Sequence, residues 1–117
     1  MQQHGHRLER LADQIRIEVA EMIEGELRDP RIGFATVTRV ELSADLRHGR
    51  VLISVLGGEE SRAETLEGLS SAAGYVRREI GRRLALRRAP EIVFVLDRGA
   101  EEMEKVQKLL DEIKSDE

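Results

Sequence analysis

Residues 70–74 read Ser-Ser-Ala-Ala-Gly, and this run of small residues decides how the second half of the chain folds. Apolar residues recur at helical spacing on both sides of it: Ala63, Leu66 and Leu69 before the run, and Ala73, Val76, Ile80 and Leu84 after it. Because small residues are common where a helix bends, we predict two helices joined by a kink at Ala72, Ala73 and Gly74.

Gly74 is the residue that we expect to make this kink. Inside a straight helix Gly costs about 0.5–1 kcal/mol relative to Ala, so its presence needs a reason. A positive φ at Gly74 is the reason that we favour. The alternative is a helical Gly74 that merely lets a strand or a binding partner approach.

The chain after the kinked helices predicts one strand and one helix. Pro90 precedes the β-branched run 92–96, which predicts a strand. Residues 99–117 form an acidic amphipathic pattern, with Met103, Val106, Leu110 and Ile113 on one side. We expect this terminal helix to pack on the domain through that side; docking of a partner is the alternative.

The chain before the kinked helices predicts a helix and two strands. Apolar spacing over residues 8–27 predicts a first helix, which Asp29-Pro30 ends. Residues 34–43 predict a strand with a bulge near Thr38-Arg39, because its apolar residues cannot share one face under strict alternation. Residues 51–55 alternate as a second strand, and Gly57-Gly58 closes it.

The order α-β-β-α-α-β plus a terminal helix predicts an α+β fold with helices over one face of the sheet.

Composition restricts the classes of protein that fit. The chain has 117 residues, which is enough for one domain, and no Cys for a disulfide or thiolate site. We expect residues 1–5 to be a mobile N-terminus and 6–98 to be the folded domain. No apolar run approaches the roughly 20 residues that span a bilayer, so we expect a cytoplasmic protein without a membrane anchor.

Charge is distributed unevenly along the chain, although the net charge is −4. Residues 71–98 carry seven arginines and three carboxylates, whereas the segments on either side are acidic. On a helical wheel Arg78 and Arg82 point away from the apolar stripe, and Arg77 and Arg83 flank it. Because Arg binds phosphate bidentately, these residues with Arg87 and Arg88 predict an RNA-binding face. A solvated helix face with pairs such as Glu79–Arg83 is the alternative.

Four segments resemble the bacterial ribosome-binding factor A family, whose fold is a type II K-homology-like arrangement. They are residues 27–33 (Leu-Arg-Asp-Pro-Arg-Ile-Gly), 40–46 (Val-Glu-Leu-Ser-Ala-Asp-Leu), 72–77 (Ala-Ala-Gly-Tyr-Val-Arg) and 84–91 (Leu-Ala-Leu-Arg-Arg-Ala-Pro-Glu). Ordinary K-homology domains clamp nucleic acid with a Gly-x-x-Gly loop. No two glycines here have that spacing, and the resemblance puts the Ala-x-Gly kink in its place.

The resemblance implies a non-catalytic assembly factor for the small ribosomal subunit. Such a factor binds the free 30S subunit and its 16S rRNA during late maturation, including processing of the precursor 5′ end. It further implies a monomer with no cofactor, which meets other assembly factors such as a maturation GTPase. The rival interpretation is a protein-interaction adaptor that kept the K-homology fold and lost RNA binding.

The remaining candidate residues carry weaker signals. Arg28 and Arg31 straddle Pro30 and either reach RNA or, for Arg28, cap the first helix. Asp45 is expected to form a turn. Of the three aromatic residues, Phe34 and Phe94 are predicted to be core, and Tyr75 is a weaker candidate for stacking on a base. His4-x-His6 lacks a third ligand nearby, so we predict no metal site, and no enzyme motif is present.

Overall fold

The computed structural model describes residues 2–115, and their side chains except at positions 2–5, 100, 101, 104, 114 and 115. Its elements follow the predicted α-β-β-α-α-β order with a terminal helix. They are α1 (Gln2–Gly25), β1 (Ala35–Leu42), β2 (His48–Val55), α2 (Glu59–Ser71), α3 (Ala73–Arg83), β3 (Glu91–Leu96) and α4 (Arg98–Ser115). The mobility expected of residues 1–5 stays a prediction, because Met1 and the side chains of residues 2–5 lie outside the described part of the chain.

The three strands form one sheet in the order β1-β2-β3. β1 and β2 are antiparallel, and their register shifts between Val37 and Arg39, which confirms the bulge predicted near Thr38-Arg39. β2 and β3 are parallel, with His48 opposite Glu91. Since a parallel pair needs a crossover connection, α2 and α3 occupy the chain between these strands. The starts of β2 and β3 therefore lie side by side.

The core lies between the sheet and α1, α2 and α3. Its buried side chains come from the sheet and from all three of these helices. The side chains that are 0–4% exposed include Ile15, Val19, Met22, Val51, Ile53, Leu69, Val76, Ile80 and Phe94. The prediction for Phe94 is thus confirmed, but that for Phe34 is wrong, since Phe34 is 81% exposed. Ala35 packs against the core, so alternation places its neighbour Phe34 on the uncovered face of the sheet.

The break between α2 and α3 falls at Ala72. Its N–H donates to the carbonyls of Gly68 and Leu69, and its backbone (φ −88°, ψ −3°) is already enough to separate two helices. Gly74 lies inside α3 and does not have a positive φ; among the glycines that the structure describes, only Gly57 does. The kink predicted in the small-residue run is present, but the expectation of a left-handed Gly74 is wrong.

The terminal helix does not pack on the domain as expected. Of the apolar residues on its predicted packing side, Met103 is 75%, Val106 56%, Leu110 49% and Ile113 58% exposed. Helix α4 leaves the sheet directly after β3 and approaches β2. Its apolar side is therefore uncovered wherever the structure describes it. Within residues 2–115, no helix is long and apolar enough to cross a membrane.

Candidate nucleic-acid interface

The arginines of α3 differ sharply in their surroundings. Arg78 is exposed and has no ion pair or side-chain hydrogen bond within the described part of the chain. Arg82 is 70% exposed, but its guanidinium holds Glu79 at 2.8 Å. That hydrogen bond raises the pKa of Arg82 above its ordinary value. Arg78 thus presents a free cation, whereas Arg82 presents one that is already paired on its own helix.

Arg83, which was predicted to flank the apolar stripe, forms the Glu79–Arg83 pair that the alternative interpretation named. Its side chain is 19% exposed and lies between Glu26, the residue that follows α1, and Glu79 of α3. The hydrogen bond that Arg83 donates to Glu26 raises the pKa of Arg83 and lowers the pKa of Glu26. Tyr75 donates its hydroxyl to the same Glu26 at 2.8 Å. This network ties α3 to the end of α1, which makes Arg83 a packing residue.

Arg31 is likewise engaged inside the molecule. Its guanidinium binds Asp29, with Nη2 2.6 Å from Oδ2, and also donates to Ser71 Oγ at 3.1 Å. Thr65, which is 1% exposed, accepts the Gly33 N–H at 3.1 Å and so fixes the end of the same segment. The Asp-Pro-Arg segment is therefore a clasp between α1 and α2. Arg28 is exposed and shows no such partner among the described residues.

The remaining predicted arginines meet at one end of the molecule. Arg77, Arg87 and Arg88 line a concavity of about 770 Å³ together with Arg47 of the β1–β2 turn. We call these four the turn-side arginines. Arg77 Nε donates to the Ala89 carbonyl at 3.1 Å. Arg47, Arg87 and Arg88 are exposed and have no side-chain hydrogen bond or ion pair among the described residues.

Two carboxylates also line this concavity, but both have partners. Asp45 Oδ1 accepts hydrogen bonds from Ser43 Oγ at 2.7 Å and from the Arg47 N–H at 3.1 Å. The bond from Ser43 lowers the pKa of Asp45, and the expected turn-forming role of Asp45 is confirmed. Glu91 lies 3.8 Å from His48, which is also part of the concavity. The turn is thereby held in the position that presents Arg47.

Arg47 and His48 are the residues that sequence reasoning missed. They lie 40 residues before Arg87 and Arg88, in a segment whose net charge is close to zero. The signal that could have found them is topological. A β-α-α-β order makes β2 and β3 parallel, so the residues that precede each strand meet at the same end of the sheet.

Among the side chains that the structure describes, no three His, Asp or Glu residues are grouped so as to hold a metal ion. The expected absence of a His4-x-His6 site concerns His4, whose side chain lies outside the described ones. Guanidinium groups in a concave surface are suited to bidentate binding of phosphate oxygens.

Comparison with known proteins identifies a family that the chain matches. A model of the ribosome-binding factor A family matches residues 7–110. Ribosome-binding factor A of Desulforamulus reducens is 47% identical over 112 residues, covering 96% of this chain and 93% of the relative. The Thermomicrobium roseum protein of the same name is 48% identical over 111 residues, covering 95% and 86%.

Solved structures agree with the sequence relatives. The crystal structure of ribosome-binding factor A from Thermus thermophilus aligns with a TM-score of 0.67 and 32% identity, over 76% of this chain and 93% of that one. A homology model of the Thermus thermophilus protein, fitted into an electron cryo-microscopy map of its complex with the 30S subunit, aligns with a TM-score of 0.64 and 32% identity, over 78% and 96%. With a family match across most of its length and relatives this similar, the chain belongs to the ribosome-binding factor A family.

Proposed function

We propose that this protein binds the small ribosomal subunit through its 16S rRNA. The observation that carries the proposal is the convergence of Arg47, Arg77, Arg87 and Arg88 on one concavity. Cations gathered on one surface are the electrostatic footprint of a nucleic-acid-binding protein, even when the net charge of the chain is negative. The Thermus thermophilus relative whose complex with the 30S subunit was imaged supports the choice of partner.

The proposed action is attachment during late maturation, without catalysis. Because the chain lacks a Gly-x-x-Gly clamp, the turn-side arginines and the exposed Arg78 and Arg28 would hold phosphates on the surfaces of a turn and helices. Holding one rRNA conformation would assist processing of the precursor 5′ end. We further propose that the protein acts in the cytoplasm as a monomer, in concert with other assembly factors such as a maturation GTPase.

A protein-interaction adaptor is the second candidate function, and one observation favours it. The apolar side of α4 is uncovered, and Phe34 and Leu56 are 81% and 76% exposed on the hairpin. Exposed apolar patches of this kind mark protein–protein contacts. The adaptor would bind its partner through these patches, and its binding would depend little on salt.

Co-sedimentation with purified small and large subunits separates the two functions. We expect this protein to pellet with small subunits at low salt, to stay in solution with large ones, and to be released as salt rises. Salt release follows because counterions return to the phosphates that the arginines leave. Equal retention on both subunits, or no retention at low salt, would reject the rRNA-binding proposal.

A further inference from the structure

A second concavity, of about 690 Å³, lies between α1 and the β1–β2 turn. We call it the α1 groove. Its apolar lining includes Leu8, Leu11 and Leu46, and its polar lining includes Arg7, Arg10 and Gln14. Leu46 also lines the concavity of the turn-side arginines, so the two concavities are adjacent and share this residue. The volume falls in the range of sites that hold small organic ligands.

The polar lining of the α1 groove is available to a ligand. Arg7 and Arg10 are exposed and have no ion pair or side-chain hydrogen bond among the described residues. Gln14 is exposed on the next turn of α1 and carries both a hydrogen-bond donor and an acceptor. Two free cations next to a neutral amide suit a ligand with an anionic part and a polar, uncharged part.

Leu46 is held in this groove in an unfavourable conformation. Its φ is 61°, in the left-handed region that a residue with a branched side chain rarely adopts. The Leu46 N–H donates to the Ser43 carbonyl at 2.9 Å, and Asp45 fixes the turn around it. The side chain nevertheless stays 38% exposed. A strained, partly exposed Leu between two sets of arginines is therefore an apolar contact prepared for a ligand.

We propose that the α1 groove takes one unpaired nucleotide of the rRNA. The base would lie against the three leucines, the Gln14 amide would meet its polar edge, and Arg7 and Arg10 would bind the flanking phosphates. Only a base outside a duplex can enter, because paired bases are stacked and their edges are occupied. The inference rests on the proposed binding of rRNA and adds a contact that depends on the base as well as on charge.

Two RNAs of equal charge test this inference: a single-stranded adenosine decamer and its abasic ribose–phosphate counterpart. Competition at low salt, followed by fluorescence anisotropy, gives the ratio of their affinities. We expect a preference of about tenfold for the decamer, the ratio that burial of part of one base supplies. Leu46→Ser and Gln14→Ala should each reduce that ratio to about twofold or less, since phosphate contacts remain.

Matched variants separate base contact from charge. Leu56→Ser removes an exposed Leu at the opposite end of the same hairpin, and it should keep the preference of the unmodified protein. Arg7→Gln with Arg10→Gln should weaken binding of both RNAs alike, because phosphates carry no base information. Arg16→Gln, on the same helix but paired with Asp13, should change little. Gln14→Ala lies on an exposed helix surface, so it tests the groove even if Leu46→Ser unfolds the turn.

Equal affinity of the unmodified protein for the two RNAs would overturn the inference, as would an unchanged preference in Gln14→Ala, whether or not Leu46→Ser folds. A protein that binds neither RNA but still pellets with small subunits would refute the nucleotide site and leave the proposed function standing. Loss of both activities would refute both.

Discussion

Arg78 and Arg83 are five positions apart on α3, yet only one of them is free to bind a ligand. The helical wheel predicts their directions but not the carboxylates that meet them. Glu26, which takes the Arg83 guanidinium, lies 57 residues away in the sequence. An Arg is therefore available for phosphate only where the fold brings no acid to it. This condition removes Arg31, Arg82 and Arg83, each paired with a carboxylate, from the predicted interface and keeps Arg28, Arg78, Arg87 and Arg88.

Asp29 provides a test of the clasp at the end of α1. The Arg31 guanidinium, together with the Arg31 N–H, holds the pKa of Asp29 at about 2. A carboxylate with a lowered pKa stabilises the fold fully above its unfolded pKa, which is about 3.9, and this contribution is lost as pH falls toward 2. We expect the melting temperature of the unmodified protein to fall more steeply between pH 4 and pH 2 than that of Asp29→Asn. Parallel melting curves across that range would contradict the clasp.

Gly74→Ala tests the helical backbone at the kink. Gly74 has no positive φ, and a Cβ built there meets no heavy atom within 4 Å. The substitution should therefore raise the free energy of unfolding by about 0.4–1 kcal/mol, because the unfolded chain loses freedom. Gly68→Ala is the matched control: its Cβ would lie 2.8 Å from Ile32 Cγ1, so the same change should destabilise. A Gly74→Ala protein that melts lower would show that the kink needs Gly there.

At the scale of the elements, the sequence predicts well whatever depends on neighbours along the chain. The bulge at Thr38 follows from Val37, Val40 and Leu42, which cannot share a face without one extra residue, and the register shows it. Phe34 was misjudged because apolar character does not tell which face of the sheet the helices leave open. The contact between Arg47 and the residues before β3 depends on strand order, which no local pattern contains.

Helix α4 is the element for which the apolar periodicity gave a wrong prediction of packing. An apolar stripe predicts packing, but Val106 and Leu110 are 56% and 49% exposed. Val106→Ser and Leu110→Ser should each change the free energy of unfolding by about 0.5 kcal/mol or less in urea titrations. Leu69→Ala, a fully buried site, should cost about 2–5 kcal/mol under the same conditions. A comparable loss for the α4 variants would mean that the helix packs on the domain in solution.

At the scale of the whole molecule, the proposed function depends on an uneven distribution of charge. The chain has a net charge of −4, but its turn-side arginines, with Arg7 and Arg10 beyond Leu46, gather at one end of the sheet. Arg83 is paired with Glu26 and Arg31 with Asp29, so neither guanidinium is available at this end. The folded protein thus gathers exposed arginines at one end, while Arg28 and Arg78 are exposed and unpaired outside the two concavities among the described residues.

The salt dependence of small-subunit binding tests this central claim most directly. It should be measured for the unmodified protein, for Arg87→Gln with Arg88→Gln, and for a control of equal charge change, Arg16→Gln with Arg50→Gln, whose arginines are already paired with Asp13 and Glu41. Each phosphate contact contributes about 0.7–0.9 to the slope of log affinity against log salt. We predict that the Arg87 and Arg88 variant binds more weakly with a slope shallower by about 1.4–1.8, while the control keeps the original slope. An unchanged slope and affinity in the Arg87 and Arg88 variant would contradict the assignment of the basic end as the rRNA-binding surface.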